Sequence, residues 1–226
     1  MPPRFHLVLF DLDGTLVDSV PGIHEAGVIA AVAVDAAPPD AEFVRNAIGR
    51  GIDRLLHRIC SGRMDGEIEP ERHRAARAAF DEAYAASCLT GTRLRDGVEE
   101  TLATLRDEDR RLIVATNKPR SPARLVLERL GLDVRTDGLV CPEDAGVVKP
   151  DPAFVRHAAG DVALDRMLLV GDSSIDAATA INAGIPFIAI RGGYDEGRDI
   201  ADHDPPPDRL TTSPRDAPAA IRSLEA

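Results

Sequence analysis

Five short segments are apolar at consecutive positions instead of at every second one: FHLVLF near 5–10, RLIVAT near 111–116, GLVC near 138–141, MLLVG near 167–171 and FIAI near 187–190. Runs of that length predict strands with both faces buried, the habit of a parallel sheet covered by helices. From the second run onward, helical patterns with good punctuation fill the gaps. Asp96 with Glu99 reads as a capping pair opening a helix near 97–109, and Ser121-Pro122 opens another that Gly131 closes. Asp151-Pro152 and Ser213-Pro214 are further cap and first-turn pairs, and Gly184 stands where a C-terminal cap belongs after a helix near 174–183.

The stretch from Val20 to Ser87 breaks this rhythm. It carries helical periodicity without a strand: Ile48, Ile52, Leu55, Leu56 and Ile59 share one face, and Ala76, Phe80, Ala83 and Ser87 another. Such a length is too great for a loop and predicts an inserted helical domain. The expected fold is therefore α/β, a doubly wound, Rossmann-like parallel sheet built from residues 1–17 and 94–226, with residues 18–93 as the helical insertion. Joints are expected near 15–20 and 89–96, and DHDPPPD at 202–208 reads as a stiff surface loop.

Ligands of open parallel sheets bind beyond the carboxyl ends of the strands, and polar residues of this chain gather there. Asp11 and Asp13 follow the first strand, Thr116 and Asn117 end the second, Lys149 lies after the third, and Asp172 and Asp176 follow the fourth. Each alone has an ordinary reading as a turn, cap or solvated residue. Together they bring four segments of like chemistry to one edge. Each close pair of carboxylates would repel by about 4 kcal/mol at an effective dielectric of 20, so the cluster calls for a divalent cation or shared protons. Oxygen ligands without Cys or His favour magnesium over zinc.

Of 27 basic residues only Lys118 and Lys149 are lysines. In an arginine-rich chain, a retained lysine suggests a need for a compact charge on a flexible stem. That argument is firmer for Lys149, and the role of Lys118 stays open. The net charge of −11 disfavours nucleic acid or an anionic membrane as partner. No run approaches a membrane span or forms a usable signal peptide, and Cys60, Cys88 and Cys141 are too scattered for a disulfide framework or zinc knuckle. A reducing cytoplasm is the expected location. Neither GxxxxGK[ST] nor GxGxxG is present.

The ordered set DLDGTL, ATN, VKPDP and VGDSSID resembles the motifs of the haloacid dehalogenase-like hydrolases over nearly the full chain. Within that superfamily, DGTLVDSVPGI, IGRGIDRLL and ATNKP look most like phosphoglycolate phosphatases, whose helical cap is inserted after the first strand. The resemblance implies a magnesium-dependent phosphatase acting on a small phosphorylated metabolite through an aspartyl phosphate. It implies Asp11 as nucleophile and Asp13 as general acid and base, with magnesium held by Asp11, the Asp13 carbonyl and Asp172, and with Asp176 nearby. Thr116 and Lys149 would hold the phosphoryl oxygens, assisted by Asn117.

Several relatives are disfavoured by what is missing. A phosphonoacetaldehyde hydrolase needs a cap lysine, which the insertion lacks, and a haloacid dehalogenase has no use for Asp13. A phosphatase of a sugar phosphate, nucleotide or pyrophosphate remains open, as does a sugar phosphomutase. A phosphorylated signalling receiver fits poorly, because its aspartate follows a later strand. Arg95-Asp96 and VCPEDAGVVKP depart from the usual subgroup pattern and leave the leaving group undefined, and the chain is expected to act as a monomer or dimer. For a phosphoglycolate-like substrate, Arg50, between two glycines ahead of an amphipathic helix, is the candidate seat for the carboxylate.

Overall fold

The structure, a computed structural model, describes residues 3–226, so the first two residues of the expected core lie outside it. Strand β1 (Leu7–Phe10) leads through a tight turn to β2 (Val17–Asp18) and then to four helices, α1 (Val20–Val32), α2 (Ala41–Ala47), α3 (Gly51–Ser61) and α4 (Pro70–Thr90). The chain returns through β3 (Arg93–Leu94), α5 (Val98–Asp107), β4 (Arg111–Ala115), α6 (Arg120–Leu130), β5 (Gly138–Val140), α7 (Pro142–Ala145) and α8 (Pro152–Ala159). It ends with β6 (Met167–Gly171), α9 (Ser174–Ala183), β7 (Phe187–Ile190), β8 (Arg209–Thr211) and α10 (Ala217–Glu225).

Six strands form one parallel sheet in the order β5-β4-β1-β6-β7-β8. The consecutive apolar residues explain why both faces are covered. Val8, Phe10, Val114 and Val170 point into one core layer, which runs on into the inserted helices. Leu7, Leu9, Ile113 and Leu169 point into the other, against Phe154 of α8 and Ala177 of α9. Each fully buried side chain of this size contributes about 1.5–3 kcal/mol of transfer free energy. The chain winds from β1 outward to β4 and β5, then crosses back to β6 on the other side of β1. That reversal opens a crevice beyond β1, where its two neighbours diverge.

The strand expectations hold to within two residues, and Gly131 and Gly184 close their helices at φ of 65° and 71°. Asp151 caps α8, its carboxylate accepting from the Ala153 amide at 2.8 Å. Three local expectations fail. Asp96 does not cap α5, because Gly97 at φ 83° occupies the N-cap and no side chain bonds there. Helix α6 begins at Arg120, one residue before Ser121, and Ile48 lies in the loop ahead of α3. The insertion is rooted by β2 and β3, an antiparallel pair aligning Val17 with Leu94. Above them α1 and α4 cross closely at Gly22, whose carbonyl accepts from Ser87 Oγ at 2.9 Å. A Cβ at Gly22 would lie 2.5 Å from the Ser87 carbonyl oxygen, so only glycine permits this approach.

Candidate active site

The turn after β1 is what gathers the acids. Asp11 donates its amide to the Val170 carbonyl at 2.9 Å, fixing the β1 exit against β6. Gly14 then reverses the chain at φ 93°, and a Cβ there would fall 2.2 Å from Asp172 Oδ2. Gly193 gives the same clearance on the other side, since its Cβ would lie 2.0 Å from Asp172 Oδ2. Asp172, buried between two glycines, accepts from Thr15 Oγ1 on one oxygen and from the Tyr194 amide at 2.6 Å on the other.

Asp176 sits in the first turn of α9, where the helix dipole favours an anion. Its Oδ2 accepts from the Ser173 amide at 3.3 Å while Ser173 Oγ accepts from the Asp176 amide at 3.3 Å, a reciprocal capping box, and Ser173 Oγ also donates to Oδ2 at 2.7 Å, leaving Oδ1 for Lys149. Lys149 Nζ lies 2.7 Å from both Asp11 Oδ1 and Asp176 Oδ1. Asn117 holds that lysine's loop: its Nδ2 donates to the Lys149 carbonyl at 3.0 Å and its Oδ1 accepts from the Lys149 amide at 2.8 Å. Thr116 lines the same cavity and accepts the Lys118 amide on Oγ1 at 3.1 Å.

Burial is the largest influence on Asp11 and pushes its carboxyl up to about 7, with Asp176 adding to the rise and Lys149 opposing it. Asp172 is likewise pushed well above the ordinary carboxylate range, by burial first and by Asp11 and Asp176 next. Burial would lower the Lys149 ammonium, but Asp11 and Asp176 reverse that and keep it charged. Burial and mutual repulsion thus work against ionising all three carboxylates beside a single ammonium, and a cation held among them would relieve both. Oxygens of Asp11, Asp172 and Asp176 all lie within 4.8 Å of one another, a span that one hard cation with bonds of about 2.0–2.6 Å can bridge. The donor set therefore fits a divalent cation.

Asp13 stands outside this trio. Its two carboxylate oxygens accept from Lys118 Nζ at 2.9 and 3.1 Å, and the same ammonium donates to Tyr84 Oη of α4 at 2.5 Å. The acids thus divide into an Asp11–Asp172–Asp176 group with Lys149 and a separate Asp13–Lys118 pair, both on one cavity of about 70 Å³. Ile23, Ile52, Leu55 and Phe80 form its apolar wall on the inserted side.

The haloacid dehalogenase-like hydrolase family model matches residues 5–184. The chain belongs to the haloacid dehalogenase-like hydrolases. It is 36% identical over 221 residues to the phosphoglycolate phosphatase of Cereibacter sphaeroides, covering 97% of this chain and 99% of that one. It is 37% identical over 193 residues to the phosphoglycolate phosphatase of Rhodospirillum rubrum, covering 83% and 80%. Among solved structures, it superposes on a predicted phosphoglycolate phosphatase from Haemophilus somnus with a TM-score of 0.88 at 28% identity, over 96% of this chain and 97% of the other.

The four motifs by which the chain resembles the haloacid dehalogenase-like hydrolases thus come together at one sheet edge, and all but one of the expected site residues border the cavity or the acid group. Arg50 is the one the structure does not bring there. Its neighbours Gly49 and Gly51 line the cavity, but its half-exposed guanidinium turns outward, and Nε donates to Glu196 Oε1 at 2.6 Å. Glu196 also accepts from the buried Arg58 at 2.6 Å, so the arginine joins the insertion to the loop after β7.

Tyr84 and Tyr194, the chain's two tyrosines, also stand at this site, although no sequence motif points to them. Tyr84 was legible in part, being one turn beyond Phe80, with which it stacks at 5.1 Å. Tyr194 had no local signal: its hydroxyl accepts from the Ser19 amide at 2.9 Å and donates to Asp18 at 2.7 Å, tying the root of the insertion to the amide that holds Asp172.

Proposed function

We propose that this haloacid dehalogenase-like hydrolase is a magnesium-dependent phosphatase of a small phosphomonoester, with phosphoglycolate the first choice of substrate. The observation that carries the reading is the division of the acids into a cation-binding trio on Lys149 and a separate Asp13 across a small cavity. Lys149 holds Oδ1 of Asp11, which leaves Oδ2 to attack phosphorus. As that O–P bond forms, the ester O–P bond breaks and Asp13 donates its proton to the departing alkoxide. Asp13 then takes a proton from water as that water attacks phosphorus, releasing inorganic phosphate and restoring Asp11. Lys149 and Thr116 stabilise the phosphoryl oxygens, and Asn117 contributes by fixing the Lys149 loop. Magnesium, held by Asp11, Asp172 and the Asp13 carbonyl with Asp176 close by, would neutralise charge on the phosphoryl group.

In this reading residues 18–93 are a cap closing over a core of 1–17 and 94–226, with specificity set at the seam. The inserted side of the cavity is an apolar wall of Ile23, Ile48, Ile52, Leu55 and Phe80, which would leave the many polar groups of a hexose or nucleoside unpaired and so favours a compact leaving group. The similarity to phosphoglycolate phosphatases supports the same choice. Three buried free cysteines accord with a reducing cytoplasm, and no helix among the described residues is long and apolar enough to cross a membrane.

The test is hydrolysis of phosphoglycolate, ethyl phosphate, glucose 6-phosphate, AMP and pyrophosphate, with magnesium and after EDTA. Phosphoglycolate should be hydrolysed with the highest kcat/KM, EDTA should abolish turnover and magnesium should restore it. Asp11→Asn should abolish both turnover and the covalent phosphoenzyme. Full activity in EDTA, or a phosphoryl group trapped on another residue, would overturn the mechanism.

A further inference from the structure

The chain's two lysines both border the cavity, yet they face different partners. Lys149 is tied between Asp11 and Asp176, on the side where phosphorus would sit. Lys118, also buried, is tied to Asp13 and to Tyr84 of the insertion, on the side from which the alcohol would leave. Nothing in the phosphatase mechanism needs a second ammonium there. A buried ammonium held against the proposed proton donor therefore asks for a purpose.

Resting on the phosphatase reading, we infer that the Lys118 ammonium and the Tyr84 hydroxyl are the seat for a carboxylate on the leaving alcohol, so that the substrate class is the phosphate ester of a short 2-hydroxy acid. Distances support this. An ester oxygen hydrogen-bonded to Asp13 lies within two hydrogen-bond lengths of Lys118 Nζ, about 6 Å at most. In a 2-phospho acid, the carboxylate oxygens lie about 3 Å from that ester oxygen, within reach of a direct bond to the ammonium. An alkyl tail of the same length would meet a cation with nothing to offer it.

The alternatives for an anionic tail are few. No arginine lines the cavity among the described residues. Arg50 is engaged by Glu196, and Arg45 donates to the Gly192 and Gly193 carbonyls outside. The wall on the inserted side is otherwise Ile23, Ile48, Gly49, Gly51, Ile52, Leu55 and Phe80. Tyr84 completes the seat, because its oxygen accepts from Lys118 while its own proton remains available to a carboxylate. Phe80 holds that ring from behind at 5.1 Å. Since Tyr84 belongs to α4 and Lys118 to the loop after β4, the tail would be gripped only with the insertion closed on the sheet edge, coupling recognition to exclusion of water.

The experiment compares kcat/KM for phosphoglycolate and ethyl phosphate in the wild type, Lys118→Met and Tyr84→Phe, with melting curves for each. A loss common to both esters reports on Asp13, and a change in the ratio reports on the seat. The wild type should prefer phosphoglycolate at least tenfold. Lys118→Met should cut that preference about ten- to hundredfold and Tyr84→Phe about three- to tenfold, the sizes expected for losing charge-assisted and neutral hydrogen bonds. If Lys118→Met does not fold, Tyr84→Phe decides alone, since it removes one oxygen and keeps the ring. An unchanged ratio in a folded variant overturns the seat while leaving the phosphatase intact. Failure of the wild type to hydrolyse any small phosphomonoester overturns the phosphatase reading itself.

Discussion

Asn117 and Lys149 are locked backbone to side chain by two opposed hydrogen bonds, of 3.0 and 2.8 Å, that use both polar atoms of the Asn117 amide. The amide therefore acts on the loop that carries the ammonium, across 32 residues of sequence. Asn117→Ala frees that loop and should lower kcat/KM by about ten- to hundredfold, with the melting temperature falling only a few degrees. Asn117→Asp, which keeps the acceptor and loses the donor, should be intermediate at best. Wild-type kinetics in Asn117→Ala would mean that the Lys149 loop needs no brace.

Gly193 and Gly146 separate steric from conformational demands on glycine. A Cβ at Gly193 would lie 2.0 Å from Asp172 Oδ2, whereas one at Gly146, at φ 70°, meets nothing. Gly193→Ala must push Asp172 off its Tyr194 amide, so a magnesium titration should require at least tenfold more metal for half-maximal activity. Gly146→Ala should cost about 1–2 kcal/mol of stability for a left-handed residue with a side chain, and leave the magnesium requirement alone. Similar metal titrations for the two variants would remove Asp172 from the cation site.

Arg50 and Arg58 share Glu196 but sit in different solvents. The Arg50 side chain is 50% exposed and the Arg58 side chain 5%. An exposed pair is worth about 0–1 kcal/mol, so Arg50→Ala should shift melting by no more than about 4 °C. It should also change kcat/KM for phosphoglycolate and ethyl phosphate by the same small factor. Glu196→Gln weakens the bond to the buried Arg58 and should cost about 1.5–3 kcal/mol. A loss in Arg50→Ala confined to phosphoglycolate would return this arginine to the substrate.

The contrast between Arg50 and Lys149 says what sequence could convey. Asp11 and Asp172 directly follow strands whose apolar runs are plain, and the parallel topology carries such residues to one edge, where Asn117 just beyond β4 braces the Lys149 loop that comes after β5 and α7. Arg50 is placed by Glu196, 146 residues away in an aperiodic loop, and no local pattern encodes that pairing. Asp13 was legible as an acid but not as the partner of Lys118, which depends on the same long-range closure. Among elements, β8 leaves no sequence signal because it has three residues, two of them exposed, and β2 and β3 leave none because two residues each cannot establish a period. Asp96 misled because a good capping side chain yielded to Gly97, whose φ of 83° sets the entry to α5.

Arg110 and Glu225 tie the C-terminal helix to the start of β1, and this pair should give stability a definite pH dependence. The Arg110 guanidinium, 2% exposed, makes two bonds of 2.8 Å to Glu225, one of 2.8 Å to Glu108 and one of 2.7 Å to the Phe5 carbonyl. The hydrogen bonding from Arg110 holds the Glu225 carboxyl below its ordinary 4.5 in the folded chain, against a smaller opposing effect of burial. A carboxylate depressed in this way binds fewer protons folded than unfolded through the acid range. Its contribution is therefore complete above about pH 4.5 and is lost as pH falls through the lower folded value. Glu225→Gln should cost about 1–3 kcal/mol near pH 7, since a charged acceptor is removed while Glu108 still partly compensates the arginine. Urea unfolding of both proteins across this range should show the gap constant from about pH 7 to 5 and closing below about pH 4.5. A gap that widened on acidification would mean that Glu225 is not held as an anion, and that α10 is fastened by packing alone.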